Sequence, residues 1–280
     1  MGKLEGKVAI VTGASRGIGK GIAKLFAAEG ARVVCASRTL NESGSNLEGS
    51  LNTTVDEIRK SGGTALVVQL DVTSEDSCAH CVEAAREAFG PVDILVNNAV
   101  LAHFLDVKDI SVEQWDHCFA TAVKGPFLLI RNVLPDMTAR HGGAIVNISS
   151  AAAMGPGRGP YESNGVAGTV YGATKAALER LTQGLAEEVY QYRISVSAVA
   201  PGVGVATPIM VSMKKATGSD DPRFEPVEMM ANAALLLATE PIDRVTGRVT
   251  YSQAILQEFG WIKEGKGRGI DRPGSGYSQI

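Results

Sequence analysis

The sequence has few cysteines, few aromatic residues and no long apolar run. Four cysteines among 280 residues are too few for the disulfide framework of a small secreted domain. No apolar run is long enough to cross a membrane, and the first residues lack a signal-peptide pattern. The formal net charge of −3 creates no basic field that would attract nucleic acid. These absences predict a cytoplasmic protein with neither a membrane nor a nucleic-acid partner.

The segment CAHC, at positions 78–81, is a CxxC pair with a histidine inside it. A zinc site would need a second pair of ligands, and only the dispersed His117 and Cys118 could offer one. The surrounding residues, SEDSCAHCVEAAREAF, have the pattern of the first turns of an amphipathic helix. We therefore expect small buried side chains here and no metal site.

Apolar runs of strand length alternate with longer stretches of helical periodicity. The predicted strands are 8–13, 31–38, 64–72, 93–99, 143–150, 194–201 and 247–252. The predicted helices are 17–30, a long region from about 111 to 140, about 172–190 and 226–239. This alternation predicts an α/β fold with a single doubly wound parallel sheet and helices on both faces.

Two polar segments look like additions to that fold. Residues 39–54 are rich in glycine and polar side chains, which predicts a long loop directly after the second strand. Residues 263–280 have almost no apolar content, which predicts a mobile or docking tail. We therefore expect one catalytic, dinucleotide-binding domain at 1–260 and a polar tail at 261–280.

Three glycines, Gly13, Gly17 and Gly19, stand between the first predicted strand and the first predicted helix. Glycines in such a turn let the backbone approach a pyrophosphate, while free amides at the helix start point toward the anion. The spacing is GxxxGxG, and the strand before it and the helix after it supply the context that the motif needs. The alternative is a plain glycine turn. The pattern favours a Rossmann-like nucleotide site.

The end of the second predicted strand indicates which nucleotide binds. A carboxylate there would hydrogen-bond the 2′-hydroxyl of NAD, but this chain has Ser37 followed by Arg38. A second cation, Arg16, lies inside the glycine loop. Two arginines that converge near the ribose could bind a 2′-phosphate by charge-assisted hydrogen bonds. NADP is therefore the expected cofactor, with NAD as the alternative.

A tyrosine and a lysine, Tyr171 and Lys175, are four positions apart in a predicted helix. They share one helix face, about 6 Å apart along the axis. An ammonium beside a phenol favours phenolate and lowers its pKa from about 10. Tyr171 could then protonate an alkoxide during carbonyl reduction, or take the proton from an alcohol in the reverse direction. Ser150, at the end of a predicted strand, could hydrogen-bond the substrate oxygen.

Taken together, these motifs resemble the short-chain dehydrogenase/reductase family over nearly all of residues 4–255. The matching motifs are TGASRGIG (12–19), LDV (70–72), NNA (97–99), NISS (147–150), YGATK (171–175) and PG (201–202). The resemblance implies a nicotinamide cofactor, a small-molecule carbonyl or alcohol substrate, and a homodimer or homotetramer. It implies Ser150, Tyr171 and Lys175 as catalytic residues. It implies cofactor contacts from Gly13, Ser15, Arg16, Gly17, Ile18, Gly19, Arg38, Asp71, Val72, Asn97, Ala99, Tyr171, Lys175, Pro201 and Gly202.

The chain departs from the family pattern at several points. Ala122 stands where the family has an asparagine that holds a water in the proton relay, so the relay must be rewired or weakened. Val100 replaces the glycine that usually follows NNA. Thr207 lies one position later than the threonine that normally follows the PG motif. An insertion at 155–168 lengthens the gap between Ser150 and Tyr171.

The insertion contains a second tyrosine, Tyr161, which is followed four positions later by Gly165 and not by a lysine. We expect Tyr161 to be a surface or pocket-wall aromatic residue. The sharper hypothesis is that Tyr161 or Asn164 folds over the substrate or replaces the polar group missing at Ala122.

The sequence says little about the substrate. His103, Phe104 and a lid at 206–218 would bound the pocket, and a substrate of moderate size and low polarity is the expectation. The rival hypothesis is a nucleotide-binding regulatory protein of the same fold with weakened catalysis. Ala122 and Val100 favour the rival, whereas the presence of Ser150, Tyr171 and Lys175 favours an enzyme.

Overall fold

The structure is a computed structural model that describes residues 2–42, 47–161 and 168–271. These residues form a seven-stranded sheet in the order β3-β2-β1-β4-β5-β6-β7, in which every neighbouring pair is parallel. The strands are β1 (Val8–Thr12), β2 (Arg32–Ser37), β3 (Thr64–Gln69), β4 (Ile94–Asn97), β5 (Gly143–Ile148), β6 (Ile194–Ala200) and β7 (Val249–Tyr251). The order grows outward in both directions from β1, so the predicted doubly wound fold is confirmed.

Ten α-helices connect or flank the strands within the described ranges. They are α1 (Gly17–Ala28), α2 (Leu51–Lys60), α3 (Glu75–Phe89), α4 (Val112–Phe119), α5 (Gly125–Arg140), α6 (Thr169–Val189), α7 (Pro208–Ser212), α8 (Val227–Thr239), α9 (Ile242–Val245) and α10 (Ser252–Glu258). In this part of the chain no helix combines the length and apolar character that a membrane crossing requires.

The sheet is buried on both faces because helices cover each of them. All seven residues of β6 are buried, which explains why the strands read as apolar runs and not as alternating patterns. One core contains Phe26 of α1 and Leu236 of α8. The other contains Val82 of α3 and Leu129 of α5. Cys78 and Cys81 are buried free thiols in α3, as expected for a helix interior.

The structure corrects the predicted loop at 39–54. Helix α2 begins at Leu51, and the Ser50 hydroxyl caps it by accepting a hydrogen bond from the Thr53 amide. The last four residues of the predicted loop are therefore helical. The start of this helix is not visible in the composition, because the polar run 39–50 leads into it without a break, although serine is a favoured N-cap residue.

The predicted tail also has structure where it is described. The side chains of Trp261 and Ile262 pack against the first core. Further along, the amide of Arg268 donates to the carbonyl oxygen of Gly202 at 2.9 Å. The segment up to Asp271 therefore packs on the domain, and the rest of the predicted tail lies outside the described residues.

Candidate active site and nucleotide cleft

The glycine loop follows β1 and opens α1. Gly13 and Gly17 have φ angles of +66° and +55°, which side chains disfavour. A Cβ atom on Gly19 would lie 2.4 Å from the side-chain nitrogen of Asn98. Helix α1 has no side-chain cap and no acidic residue in its first turn, so its positive dipole end is open to an anion. This cradle fits a pyrophosphate.

Thr12 and Asn98, which lie in the TGASRGIG and NNA motifs, hold the glycine loop in place. The Thr12 hydroxyl accepts hydrogen bonds from the amides of Asn98 and Ala99 at 2.9 and 3.0 Å. The Asn98 side chain donates to the Thr12 carbonyl oxygen at 2.8 Å. These contacts join the ends of β1 and β4, the two strands between which the strand order reverses. Ligands of doubly wound sheets bind in the crevice at that point.

The two arginines expected at the ribose have different partners. Arg16 donates from its guanidinium to the carbonyl oxygen of Gly49 at 2.7 Å. Burial lowers the pKa of Arg16, and the nearby carboxylate of Glu42 opposes that effect. Arg38 is exposed at the end of β2 and lies close enough to Asp71 to help lower the pKa of that carboxyl group. Glu42 is a carboxylate in this region that the sequence analysis did not consider.

The turn after β3 contains Asp71 and Val72, which are expected at the adenine end of the cofactor. Asp71 accepts hydrogen bonds from the amide and hydroxyl of Thr73 at 2.9 and 2.8 Å. Val72 is nearly buried, and a Cβ atom on Gly125 would lie 2.8 Å from its Cβ. The turn therefore packs tightly on the start of α5, and its position relative to the sheet is well defined.

Asn97 supplies a buried acceptor at the end of β4. Its amide nitrogen donates to the side-chain oxygen of Asn147 at 2.9 Å, and Asn147 donates in turn to Thr182 at 2.9 Å. The side-chain oxygen of Asn97 is buried and has no hydrogen-bond partner among the described residues. An unsatisfied buried acceptor is costly, so a donor such as a ribose hydroxyl fits at this point. Asn147, the first residue of the NISS motif, and Thr182 are further support residues to which the sequence assigned no function.

Helix α6 and the end of β5 bring the three predicted catalytic residues together. The Ser150 hydroxyl lies close enough to the phenol of Tyr171 to lower its pKa. The ammonium nitrogen of Lys175 lies 5.7 Å from the centroid of the Tyr171 ring and donates to the carbonyl oxygen of Ile148 at 2.6 Å. Gly172 permits this approach, since a Cβ atom there would lie 2.6 Å from the carbonyl oxygen of Ala152.

The structure corrects the expected ionisation of Tyr171. Burial raises the pKa of its phenol, and the nearby Ser150 hydroxyl only opposes the rise. Burial also lowers the pKa of Lys175 to about 8, against the effect of Glu179. The ammonium of Lys175 donates to the Ile148 carbonyl oxygen, and burial outweighs the stabilisation that its charge gives to a phenolate. Tyr171 is therefore protonated at neutral pH, which suits a proton donor.

Pro201 and Gly202 begin the loop after β6, and a buried carboxylate holds that loop. Glu225 accepts hydrogen bonds from the Ser252 hydroxyl at 2.6 Å and from the Gln253 amide at 2.8 Å. The Ser252 hydroxyl in turn accepts from the amide of Gly202 at 3.0 Å. Burial raises the pKa of Glu225, and these hydrogen bonds oppose the rise. The docked tail adds its hydrogen bond to the same Gly202.

Aromatic and cationic side chains form a wall beside Tyr171. The ring of Phe104 lies 5.6 Å from that of Tyr171, centroid to centroid, with a tilt of 57°. The ammonium of Lys215, from the predicted lid, lies 4.6 Å from the Phe104 centroid. At the start of the lid, Thr207 would be 3.2 Å from a Cβ atom on Gly17. Residues of the predicted lid therefore lie beside both Phe104 and the glycine loop.

Tyr161 and Ala122 lie in different settings. Tyr161 is 63% exposed, and its hydroxyl donates to the carbonyl oxygen of Gly157 within its own loop at 2.8 Å. This placement agrees with a surface aromatic residue. Ala122 is buried inside a π-helical turn, Ala120–Lys124, that joins α4 to α5 and packs on α6. Such turns often occur at functional sites. Asn164 lies outside the described residues.

Comparisons with known proteins agree with this arrangement. A family model described as short chain dehydrogenase matches residues 7–218. Oxidoreductase UcpA of Salmonella typhimurium is 34% identical over 246 residues, which are 87% of this chain and 86% of that protein. The 2,5-dichloro-2,5-cyclohexadiene-1,4-diol dehydrogenase LinX of Sphingobium indicum is 35% identical over 252 residues, 88% of this chain and 94% of LinX. The crystal structure of a metagenomic short-chain oxidoreductase in complex with NADP aligns with a TM-score of 0.71 and 31% identity, covering 89% of this chain and 98% of that one.

Proposed function

This chain belongs to the short-chain dehydrogenase/reductase family and is an NAD(P)-dependent dehydrogenase, and on that basis we propose that it interconverts a secondary alcohol and a ketone or aldehyde, with NADP(H) preferred. The observation that carries this proposal is the placement of the Lys175 ammonium 5.7 Å from the centroid of the Tyr171 ring, with the Ser150 hydroxyl near enough to affect the same phenol. The similarity to LinX supports the proposal. LinX is named as a dehydrogenase of a cyclic diol, and the hydroxyl groups of that diol are secondary alcohols.

In the proposed reaction Tyr171 donates its proton to the substrate oxygen as the carbonyl is reduced. Its raised pKa keeps that proton in place at neutral pH until negative charge develops on the substrate. Ser150 hydrogen-bonds the same oxygen and stabilises the developing charge. Lys175 holds the nicotinamide ribose and stabilises the phenolate that remains. A bound nicotinamide supplies the hydride in this direction and accepts it in the other.

The remaining nucleotide contacts are proposed for the residues that line the cleft. The pyrophosphate would lie on Gly13, Ser15, Gly17, Ile18 and Gly19, the adenosine end on Arg16, Arg38, Asp71 and Val72, and the nicotinamide end on Asn97, Ala99, Pro201 and Gly202. The unpartnered side-chain oxygen of Asn97 supports this placement.

The preference for NADP(H) rests on the cations at the end of β2. Arg38 is exposed there, after Ser37 and with no carboxylate directly beside it in the sequence. The similar metagenomic oxidoreductase was crystallised in complex with NADP, which supports the proposal. Michaelis constants for NADPH and NADH measured with one ketone would test it. A strong preference for NADH would overturn it.

Phe104 next to Tyr171 favours a substrate with an apolar face. The full chain should oxidise NADPH in the presence of members of a panel of ketones, aldehydes and quinones. Activity that disappears in Tyr171→Phe would support the proposal. Intact NADPH binding with no activity on any compound would favour the regulatory protein instead. That alternative is not favoured, because Ser150, Tyr171 and Lys175 are all present and the ammonium lies 5.7 Å from the centroid of the Tyr171 ring.

We also propose that the protein is a homodimer or homotetramer. Three large apolar side chains on α4 and α5 are partly or largely exposed: Val112 at 72%, Trp115 at 39% and Phe127 at 46%. Exposed apolar surface of this kind marks an association face. Light scattering should give a dimer or tetramer mass, and the double variant Trp115→Glu, Phe127→Glu should reduce it. A monomeric wild type would refute this part.

A cytoplasmic location stays a prediction from the sequence, testable with a fluorescent fusion.

A further inference from the structure

One face of α6 contacts three consecutive residues at the end of β5. Tyr171, Lys175 and Glu179 are spaced four apart on the helix, so they share a face. Tyr171 contacts Ser150, Lys175 contacts the carbonyl oxygen of Ile148, and Glu179 contacts Ser149 between them. The first two contacts belong to the proposed catalytic machinery. Glu179 extends the same series, and neither the motifs nor the proposed reaction gives it a function.

The contact of Glu179 is short and buried. The Ser149 hydroxyl donates to the Glu179 carboxylate at 2.6 Å, and both residues are almost completely inaccessible, at 3% and 2% exposure. Lys175 is 3% exposed and stands one helical turn before Glu179. Carboxylates are rarely placed in a protein interior without a compensating partner. A buried acid therefore stands one helical turn from a buried amine, near enough for its charge to act on that amine.

We propose that Glu179 is a positioning residue with two effects. It keeps Lys175 in its ammonium form, and it holds Ser149 against α6, which also positions the adjacent Ser150. The inference rests on the proposed function, because it assigns Glu179 a part in the same reaction. Glu179 touches neither the substrate oxygen nor the phenol in this account. It acts through its charge on Lys175 and through its hydrogen bond on the strand end that carries Ser150.

The electrostatic direction follows from the environment of Lys175. Burial lowers the pKa of Lys175 to about 8, and the negative charge of Glu179 works against that decrease. Neutralising Glu179 would therefore lower the pKa of Lys175 further, so the ammonium would lose its proton at a lower pH.

Other ionisable groups near this helix are placed differently. Tyr171 lies on the same face, β7 contributes Tyr251, and neither β5 nor β6 carries a charged side chain. The charged residues of α4 and the π turn that pack on α6 are all exposed: Glu113, Asp116, His117 and Lys124. Exposed charges are screened by solvent, so Glu179 is the nearby charge that raises the pKa of Lys175, against the larger effect of burial.

Two substitutions separate the two parts of this proposal. Glu179→Gln removes the charge, while the amide oxygen can still accept from Ser149. Ser149→Ala removes the hydrogen bond and retains the carboxylate. The matched control is Glu187→Gln, which makes the same chemical change at an exposed position of α6. All are made in the full chain, with thermal melting recorded for each.

The readout is the pH profile of kcat/KM for NADPH in carbonyl reduction, together with the pH dependence of NADPH binding by fluorescence. In Glu179→Gln, the decrease of kcat/KM and of NADPH affinity at alkaline pH, the alkaline limb of each profile, should begin about half a pH unit or more lower than in the wild type. Ser149→Ala should lower kcat several-fold and leave the pH of that decrease unchanged. Glu187→Gln should match the wild type. Unchanged limbs in a folded Glu179→Gln protein would overturn the proposal.

A folding defect would not end the test. Glu179→Asp retains the charge with a shorter side chain, so its alkaline limb should stay near that of the wild type even where kcat falls. If the alkaline limb of Glu179→Asp moves to lower pH by as much as is expected for Glu179→Gln, the effect of Glu179 is not electrostatic. The binding measurement needs no turnover. If no compound of the substrate panel is reduced, the proposed reaction is rejected. The pH dependence of NADPH binding still tests the effect of Glu179 on Lys175.

Discussion

The ammonium of Lys175 donates a 2.6 Å hydrogen bond to the carbonyl oxygen of Ile148. This contact fixes the lysine at the end of β5, one residue before Ser149 and two before Ser150. It also keeps the amine 5.7 Å from the centroid of the Tyr171 ring. A main-chain oxygen thus sets the distance between a buried cation and the proposed proton donor, and the predictions below depend on that arrangement.

Replacing Tyr171 by phenylalanine should reduce kcat at least about a hundredfold, because the proton donor is lost. Steady-state NADPH oxidation with the best ketone of the panel measures the effect. Tyr161→Phe is the matched control, since its hydroxyl is bonded within an exposed loop. It should leave turnover unchanged. Equal losses in the two variants would remove Tyr171 from the mechanism.

Reduction should weaken as the pH rises through about 8. The pKa of Lys175 is lowered to about that value, so the ammonium is present below it and is lost above it. The pKa of Tyr171 is raised, so the phenol still carries its proton over that range. A profile of kcat/KM for NADPH, which reports ionisations of the free enzyme, should fall on its alkaline side near this pH. A flat profile from pH 7 to pH 10 would contradict the assignment.

Arg38→Ala should raise the Michaelis constant for NADPH by about tenfold or more and leave that for NADH nearly unchanged. The reason is the loss of a charge-assisted hydrogen bond to the 2′-phosphate, worth about 1.5–3 kcal/mol. Lys60→Ala, which removes an exposed charge at the end of α2, serves as the control. Parallel changes for the two cofactors would show that Arg38 does not discriminate between them.

Glu42→Gln should increase the preference for NADPH over NADH. Glu42 is the carboxylate whose charge acts on Arg16, and a negative charge there repels a 2′-phosphate. The measurement is the ratio of kcat/KM values for the two cofactors. If that ratio moves toward NADH, Glu42 must help to bind the phosphorylated nucleotide, contrary to this account.

The docked tail should affect the nicotinamide end of the cleft. A Cβ atom on Gly267 would lie 2.5 Å from the carbonyl oxygen of Gly202, so Gly267→Ala should displace the tail and weaken its hydrogen bond to that oxygen. We expect a loss of about fivefold in kcat/KM for NADPH, corresponding to about 1 kcal/mol.

The control for this prediction is Gly260→Ala. Gly260 also has a positive φ, +74°, but a Cβ atom there meets nothing within 4 Å. Its cost is confined to backbone strain. Indistinguishable kinetics of the two variants, with similar melting temperatures, would mean that the tail has no influence on the cleft.

The sequence alone determined the fold class and the family. Buried parallel strands require near-continuous apolar runs, and glycines are needed where the backbone turns with positive φ, so both leave a pattern in the residues. The positions of Tyr171 and Lys175 on one helix face follow in the same way from four-residue spacing. These are local properties, and short stretches of sequence carry them.

Only the tertiary structure decided how the site residues are charged and supported. The pKa of Tyr171 is raised and not lowered because burial outweighs a lysine whose amine is bound to Ile148. The contacts of Ser149 with Glu179, and of Gly202 with Ser252 and Arg268, join residues far apart in the chain. Desolvation and long-range hydrogen bonds depend on what packs around a group, and no local pattern of residues contains that information.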